Sequence, residues 1–317
     1  MPNATCFLIG YSLVLISEWV RFASRGEQSA RWATRVTLGL FAISLLTHTL
    51  YLLDRVQIST AMGDGFKPFA TWHDWVILLA WGISLSFAFM MWRRSDKQIG
   101  LFVLPLILLL VGLAITVPVA SPIAGVASTV SFWRLVHSAA MLIGTVLVAI
   151  GFAVAAMYLV QARRLKQRVA SGNSIRLPSL EYLQSTGRNC ILGSAASIGF
   201  GVVSGAIMNL TRDGQVAWTD RGIIFTGGLF VWLCIAAIAQ WVSANRGRGE
   251  WTAMMSILSF IIVVIVLAMV VTAPHGAGEQ SPAVPAVEGK QVEIRYPAQC
   301  FASSVCVHVG TIPRGLA

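Results

Sequence analysis

Eight long apolar runs constrain the fold of this chain more than any other feature of its sequence. A transmembrane helix needs about 20 mostly apolar residues, and such runs recur along most of the chain. They cover residues 4–22, 36–53, 72–92, 99–119, 132–161, 190–210, 223–242 and 252–272. None of them alternates polar and apolar residues as the strands of a membrane β-barrel do. The pattern predicts an all-α, polytopic membrane helix bundle with about eight transmembrane helices.

The composition excludes a water-soluble globule. Charged residues make up 11% of the 317 residues and hydrophobic ones 56%, with a mean hydropathy of +0.74, whereas a soluble domain carries about 25% charged residues. The formal net charge is +10, but the basic residues are scattered between apolar runs and form no single patch of the kind that binds nucleic acid. We therefore expect membrane lipid around the chain and no nucleic-acid partner.

The Lys and Arg residues of the loops predict an orientation. Every second loop is basic, and these loops hold fifteen Lys and Arg residues against five in the loops between them. The basic loops are residues 21–35, 93–98, 162–189 and 245–251. Since cytoplasmic loops carry the excess of positive charge, both termini are predicted on the outer side of a bacterial-type cytoplasmic membrane. Residues 1–275 form the predicted membrane domain, and residues 276–317, rich in Pro and Gly, a mostly disordered outer tail.

Four of the five histidines fall at one predicted level of the membrane. His48 lies late in the second run, His73 begins the third, His137 is about one turn into the fifth, and His275 follows the eighth. Polar groups inside a bilayer are costly and are often functional, and neutral imidazole is a common iron and zinc ligand. For each histidine taken alone, an ordinary local hydrogen bond is the structural alternative.

The surroundings of these histidines favour haem over zinc. No H-x-x-x-H pair and no cluster of Cys or carboxylates at a fixed spacing accompanies them, whereas haem needs imidazoles, apolar walls and a few cations. Arg134 shares a helix face with His137 and is a candidate partner for a propionate. In the loop between the sixth and seventh runs, Trp218 is a candidate aromatic platform and Asp220 a candidate hydrogen-bond acceptor for a ligating histidine. An interfacial arginine and an aromatic-belt tryptophan are the alternatives.

Several other residues are interpreted as structural. Glu18 lies three residues before Arg21 and is predicted to form an ion pair that reaches toward the membrane interface. The glycines of the sixth and seventh runs are predicted to allow close helix packing; they are Gly199, Gly201, Gly205, Gly227 and Gly228. No nucleophile with a neighbouring base, phosphate loop or pair of carboxylates is evident. The sequence therefore favours a carrier or assembly factor over an enzyme with catalytic residues of its own.

Three stretches of the chain resemble one known family. Residues 133–144 (WRLVHSAAMLIG) and 158–166 (YLVQARRLK) resemble the histidine-bearing helix of the cytochrome c assembly proteins of the CcsA and HemX type. Residues 177–183 (LPSLEYL) are similar to the connector that follows this helix in the family. Residues 48–53 (HTLYLL) resemble the N-terminal half of the eight-helix HemX-like members.

The resemblance implies haem handling at the outer membrane face. In the family, two outer histidines flank a tryptophan-rich loop with the pattern W-G-x-x-W-x-W-D, and His137 and His275 occupy the flanking positions here. The implied arrangement is a non-covalently bound haem b with these two histidines as axial ligands of the iron. His48, and less directly His73, would be histidines of the site within the membrane.

The loop of this chain departs from the family pattern. When the pattern is aligned on Asp220, Gly214 matches, but Ala217 and Thr219 stand where tryptophans are expected. Trp218 is present one position out of register. The chain therefore resembles a divergent member of the family with a degenerate tryptophan-rich loop.

Three functions follow as hypotheses. The first is a haem-binding membrane protein of cytochrome c maturation that presents haem to apocytochrome c or to another assembly subunit. The second is a regulatory or scaffold protein of tetrapyrrole synthesis that binds no haem and docks an enzyme on loop 162–189. The third, a small-molecule transporter, is disfavoured because charged residues near the middle of the bilayer are absent.

Overall fold

In a computed structural model, the described part of the chain folds into eight helices and contains no strand. The described residues are 4–23, 27–61, 72–93, 99–116, 132–167, 177–215, 218, 221–244 and 249–272. The helices are α1 (Ala4–Ala23), α2 (Glu27–Ala61), α3 (Trp72–Arg93), α4 (Gly100–Thr116), α5 (Phe132–Lys166), α6 (Leu180–Asp213), α7 (Arg221–Ala244) and α8 (Gly249–Thr272). Seven are long and apolar enough to cross a membrane, and α4 is a shorter apolar helix of 17 residues. The predicted fold class, a polytopic membrane helix bundle, is confirmed.

All eight helices belong to one unit, Met1–Gly276. The predicted tail, residues 276–317, lies outside the described residues. The division of the chain at residue 275 and the disorder of the tail therefore stay predictions.

Several helices extend beyond the apolar runs from which they were predicted. The sixth run predicted a helix from residue 190, but α6 begins at Leu180. Ser179 is its N-cap, and the serine side chain accepts a hydrogen bond from the backbone N–H of Tyr182, which satisfies one of the free amides of the first turn. The predicted basic loop 162–189 is therefore shorter than expected, and Arg188 lies within a helix. The family-like connector 177–183 is the cap and first turn of α6.

Helix α5 lies at the centre of the bundle. Of the 18 most apolar consecutive residues of α5, 61% are buried inside the bundle. The corresponding share in the other candidate spans is 17–39%. One buried cluster joins α1–α4 to α5, and a second joins α5 to α6, α7 and α8. Large hydrophobic side chains such as Leu109 and Ile238 stand exposed on the outer faces of the bundle, as expected for helices that face lipid.

Glu18 and Arg21 form an ion pair, as predicted. The guanidinium and carboxylate are 3.4 Å apart. Both residues are buried, at 1% and 6% exposure, because α4 packs directly onto Glu18: a Cβ added at Gly100 would lie 2.9 Å from the Glu18 Cγ. The pair lies between α1 and α4, and its reach toward the membrane interface stays a prediction.

Candidate functional site

The order of the helices places three of the predicted histidines at one end of the bundle. Successive spans cross a membrane in alternating directions, so α2 ends on the side where α3 and α5 begin. His48 lies toward the end of α2, His73 at the start of α3 and His137 near the start of α5. Helix α8 ends at Thr272 on this same side. His275 follows it in the sequence and lies outside the described residues.

The imidazole of His137 is held by the backbone of α6. Its Nδ1 lies 2.7 Å from the carbonyl oxygen of Gly201, which also accepts a hydrogen bond from the hydroxyl of Ser204. A carbonyl oxygen only accepts hydrogen bonds, so Nδ1 must carry the proton. In the neutral ring this leaves the lone pair on Nε2. Histidines that bind metals through Nε2 typically have Nδ1 fixed in this way.

Glycines of α6 make room for this ring. A Cβ added at Gly205 would lie 2.9 Å from the His137 Nδ1, and one at Gly201 would lie 2.9 Å from the Cε of Met141. A Cβ at Gly199 would lie 2.6 Å from the ring of Phe230. The predicted close packing of these three glycines is confirmed. No sequence pattern indicated that Gly205 accommodates the candidate ligand itself.

The same prediction is wrong for the two glycines of α7. A Cβ added at Gly227 or Gly228 would meet no described atom within 4 Å. Helix α7 is the least buried of the candidate spans. These glycines therefore contribute no close helix contact among the described residues.

Both nitrogens of His73 already have partners within the protein. The ring Nδ1 lies 2.8 Å from the carbonyl oxygen of Ala114, and Nε2 lies 2.9 Å from the hydroxyl of Tyr51. By the same argument Nδ1 carries the proton, and the Tyr51 hydroxyl donates to Nε2. Next to it, Asp74 forms a salt bridge of 2.8 Å with Arg55. A haem ligand role for His73 stays a prediction, and it would require the bond to Tyr51 to break.

His48 is fully buried between aromatic rings. The ring of Phe7 stacks on it, with centroids 4.3 Å apart, and the hydroxyl of Tyr11 lies 3.2 Å from its Nδ1. No described group forms a hydrogen bond with its Nε2. His48 thus has one ring nitrogen without a hydrogen-bond partner inside the membrane region, and its role in haem binding stays a prediction.

The histidines fall into two sets. His48 and His73 lie within the α1–α4 half, where Phe7 stacks on His48 and meets Tyr51 edge-on at 5.4 Å. His137 instead contacts α6. Tyr11 and Tyr51 were not predicted as site residues. A tyrosine inside a span is nevertheless a polar group in lipid, the same signal that indicated the histidines.

The remaining predicted site residues are partly described. Arg134 is half-buried about one turn before His137 and already has an interaction with its surroundings. Trp218 is 74% exposed beyond the end of α6, and Asp220 lies outside the described residues. Gly214, which matches the family pattern, is the C-cap of α6 with φ +69°, a left-handed conformation that favours glycine.

Among the described residues, no group of three or more His, Cys, Asp and Glu side chains could hold a metal ion. Structural and catalytic zinc sites need three or four such ligands. A haem iron takes at most two axial ligands from the protein. A single histidine such as His137, with the lone pair on Nε2, can therefore supply one of them.

Comparison with known proteins identifies the family. Residues 71–275 match the family model described as cytochrome C assembly protein. The chain belongs to the cytochrome c assembly protein family. It is similar to the cytochrome c biogenesis protein CcsA of Pyropia yezoensis, with 25% identity over 252 residues, which cover 76% of this chain and 74% of that protein. No solved structure matches the chain.

Family membership confirms the resemblance found in the sequence and assigns the chain to cytochrome c maturation. The matched region includes α3 to α8 and extends to His275. It therefore contains His137, the α6 backbone that holds it, and the loop with Trp218.

Proposed function

We propose that this protein binds haem at the outer end of its helix bundle and presents it for cytochrome c maturation, with His137 as an axial ligand. The observation that carries the proposal is the hydrogen bond from the His137 Nδ1 to the Gly201 carbonyl. This bond fixes both the tautomer and the direction of the ring. In the neutral ring Nε2 then carries the lone pair that can bind iron. His137 is half-buried, so part of the residue remains accessible.

His275 is the proposed second ligand. Helices α5 and α8 are antiparallel: Phe152 stacks on Phe260 at 4.4 Å, and Lys166 at the end of α5 pairs with Glu250 at the start of α8. The end of α8 therefore lies on the side of the bundle where α5 begins. His275 follows that end by three residues in the sequence.

The other predicted residues complete the proposed site. Arg134 would pair with a propionate, and Trp218 would offer its exposed ring as a stacking surface beside Asp220. When bound, the haem supplies the iron and the vinyl groups to which cytochrome thiols attach, while the protein binds and orients it. The haem is proposed to be a non-covalent haem b, and the receiving partner an apocytochrome c or another assembly subunit. Both termini and the site are proposed to face the outer side of the cytoplasmic membrane, in line with the distribution of Lys and Arg.

A reduced-minus-oxidised absorption spectrum of the purified protein tests this proposal. We expect a Soret band in the wild-type protein, its loss in His137→Ala, and its return when imidazole is added to His137→Gly. The matched control is His73→Ala, in which the band per folded molecule should persist because the His73 nitrogens are already engaged. A wild-type protein that shows no band even after haem loading, or a His137→Ala protein with an unchanged band, would contradict the proposal.

A further inference from the structure

At the end of the bundle opposite to His137, a polar cavity opens where α6 begins, α7 ends and α8 begins. Its volume is about 210 Å³. Its lining residues are Glu181, Gln184, Ser185, Arg188, Gln240 and Thr252. Pockets for drug-sized ligands measure about 300–1,000 Å³, so this cavity suits a small polar group.

The deepest polar group of the cavity is Gln240, which is fully buried. Its Nε2 donates to the Oγ of Ser256 at 3.2 Å. The Ser256 hydroxyl in turn donates to the carbonyl of Thr252 at 3.3 Å. The Ser256 Oγ must therefore accept the hydrogen bond from the Gln240 amide, and this fixes the orientation of the amide. The Gln240 Oε1 then has no hydrogen-bond partner among the described residues. A buried acceptor without a donor is costly, and Gln240 is one of the residues that line the cavity.

Two opposite charges line the same cavity. Glu181 lies in the first turn of α6, and Arg188 lies two turns later on the same face. Glu181 is exposed and Arg188 is half-buried. Neither side chain forms a salt bridge with another described residue. The cavity thus offers a cation, an anion and a buried acceptor at once, with no excess of either charge.

We propose that this cavity binds the phosphoethanolamine head group of a phospholipid. The phosphate would pair with Arg188, and the ammonium would donate to Glu181 and to the Gln240 Oε1. The position at the ends of three membrane helices is the level at which head groups lie. A choline head group has no N–H to donate to Gln240, and a glycerol head group brings no cation to Glu181. Sites for anionic lipids are lined by several basic residues, whereas this one balances Arg188 with Glu181.

Lipid titration of the intact protein tests the assignment. We would delipidate the full-length protein in detergent and titrate it, by native mass spectrometry, with phosphatidylethanolamine, phosphatidylcholine and phosphatidylglycerol of identical acyl chains. Phosphatidylethanolamine should bind at least about tenfold more tightly than the other two, because neither of them offers an ammonium N–H to Glu181 and Gln240. Soluble phosphoethanolamine, added as a competitor, distinguishes a lipid from a free head group as the source.

Variants of Glu181 and Arg188 make the test specific. Neither residue is buried enough for its substitution to prevent folding. Arg188→Gln should weaken phosphatidylethanolamine binding about tenfold. Glu181→Gln should abolish the preference for phosphatidylethanolamine over phosphatidylglycerol. The matched control is Arg163→Gln, which removes an exposed arginine at the same end of the bundle but outside the cavity, and it should change neither value.

Three results would overturn the proposal. They are equal binding of the three lipids, unchanged binding in Arg188→Gln, and an equal loss in Arg163→Gln, which would indicate attraction to a basic surface. Binding of soluble phosphoethanolamine without binding of the lipid would support the head-group chemistry and refute the lipid source. The Soret band at the opposite end should not change in any of these variants, so the outcome is independent of the haem proposal.

Discussion

At the scale of single residues, the partners of an imidazole ring decide what the ring can do. His73 uses one nitrogen for the Ala114 carbonyl and the other for the Tyr51 hydroxyl. For His137 the hydrogen bond among the described residues is the one from Nδ1 to the Gly201 carbonyl. In both rings Nδ1 therefore carries the proton and donates it to a backbone carbonyl oxygen. In His73 the Tyr51 hydroxyl engages the second nitrogen, so binding a metal there would require this bond to break.

Gly205 provides the sharpest test of the His137 geometry. A Cβ at this position would lie 2.9 Å from the His137 Nδ1, so Gly205→Ala should push the ring away from the Gly201 carbonyl. We expect most of the haem absorbance to be lost, with a stability cost of about 1–3 kcal/mol from overpacking. Absorbance per folded molecule, measured after size-exclusion chromatography, checks the first effect.

The control for this variant is Gly227→Ala. Its Cβ would meet no described atom within 4 Å, so the substitution should leave haem binding intact and stabilise α7 by up to about 1 kcal/mol through helix propensity. Equal haem loss in the two variants would mean that the space beside Gly205 does not matter for His137.

Tyr51 is predicted to stabilise the α2–α3 contact through His73. In Tyr51→Phe the buried Nε2 of His73 loses its donor, while the ring of residue 51 keeps its contact with Phe7. We expect a loss of about 1–3 kcal/mol of stability, seen as a lower melting temperature in detergent, with haem per folded molecule unchanged. An unchanged melting temperature would indicate that the hydrogen bond contributes little, and a loss of haem would assign His73 to the site.

At the scale of helices, the sequence predicted which segments cross the membrane better than where each helix ends. An apolar run marks the part of a helix that lies in lipid, and α6 continues ten residues beyond it because Ser179 caps a polar first turn. The glycines of α6 correctly predicted close helix packing, whereas those of α7 did not. The sequence alone does not distinguish a glycine on a packed helix face from one on a face toward lipid. The contact between His137 and Gly201 joins residues 64 apart, and no local pattern specifies it.

The contact between α1 and α4 depends on the buried pair of Glu18 and Arg21. Removing one partner leaves an uncompensated charge, so Arg21→Gln should cost about 3–5 kcal/mol. The double variant Glu18→Gln with Arg21→Gln removes both charges and should cost less than Arg21→Gln alone. Thermal or denaturant unfolding of the two variants measures the difference. A double variant less stable than the single one would show that Glu18 acts independently of Arg21.

At the scale of the whole molecule, α5 connects two different parts. The α1–α4 half buries a dense aromatic and histidine cluster, whereas the α5–α8 half presents His137 at one end and the polar cavity at the other. The family match begins at residue 71 and includes α3 onward. The proposed haem ligand therefore lies on the central helix, where the α6 backbone holds its ring.

The orientation of the bundle is the last prediction, and it determines which side of the membrane receives the proposed haem site. The excess of Lys and Arg in alternate loops predicts that the end with His137 and Trp218 is outside. In a background without native cysteines, Trp218→Cys replaces an exposed side chain at this end, and Arg163→Cys replaces one at the other. In intact cells a membrane-impermeant maleimide should label position 218 at once and position 163 only after permeabilisation. The reverse pattern would place His137 on the cytoplasmic side, where it could not present haem to an apocytochrome outside.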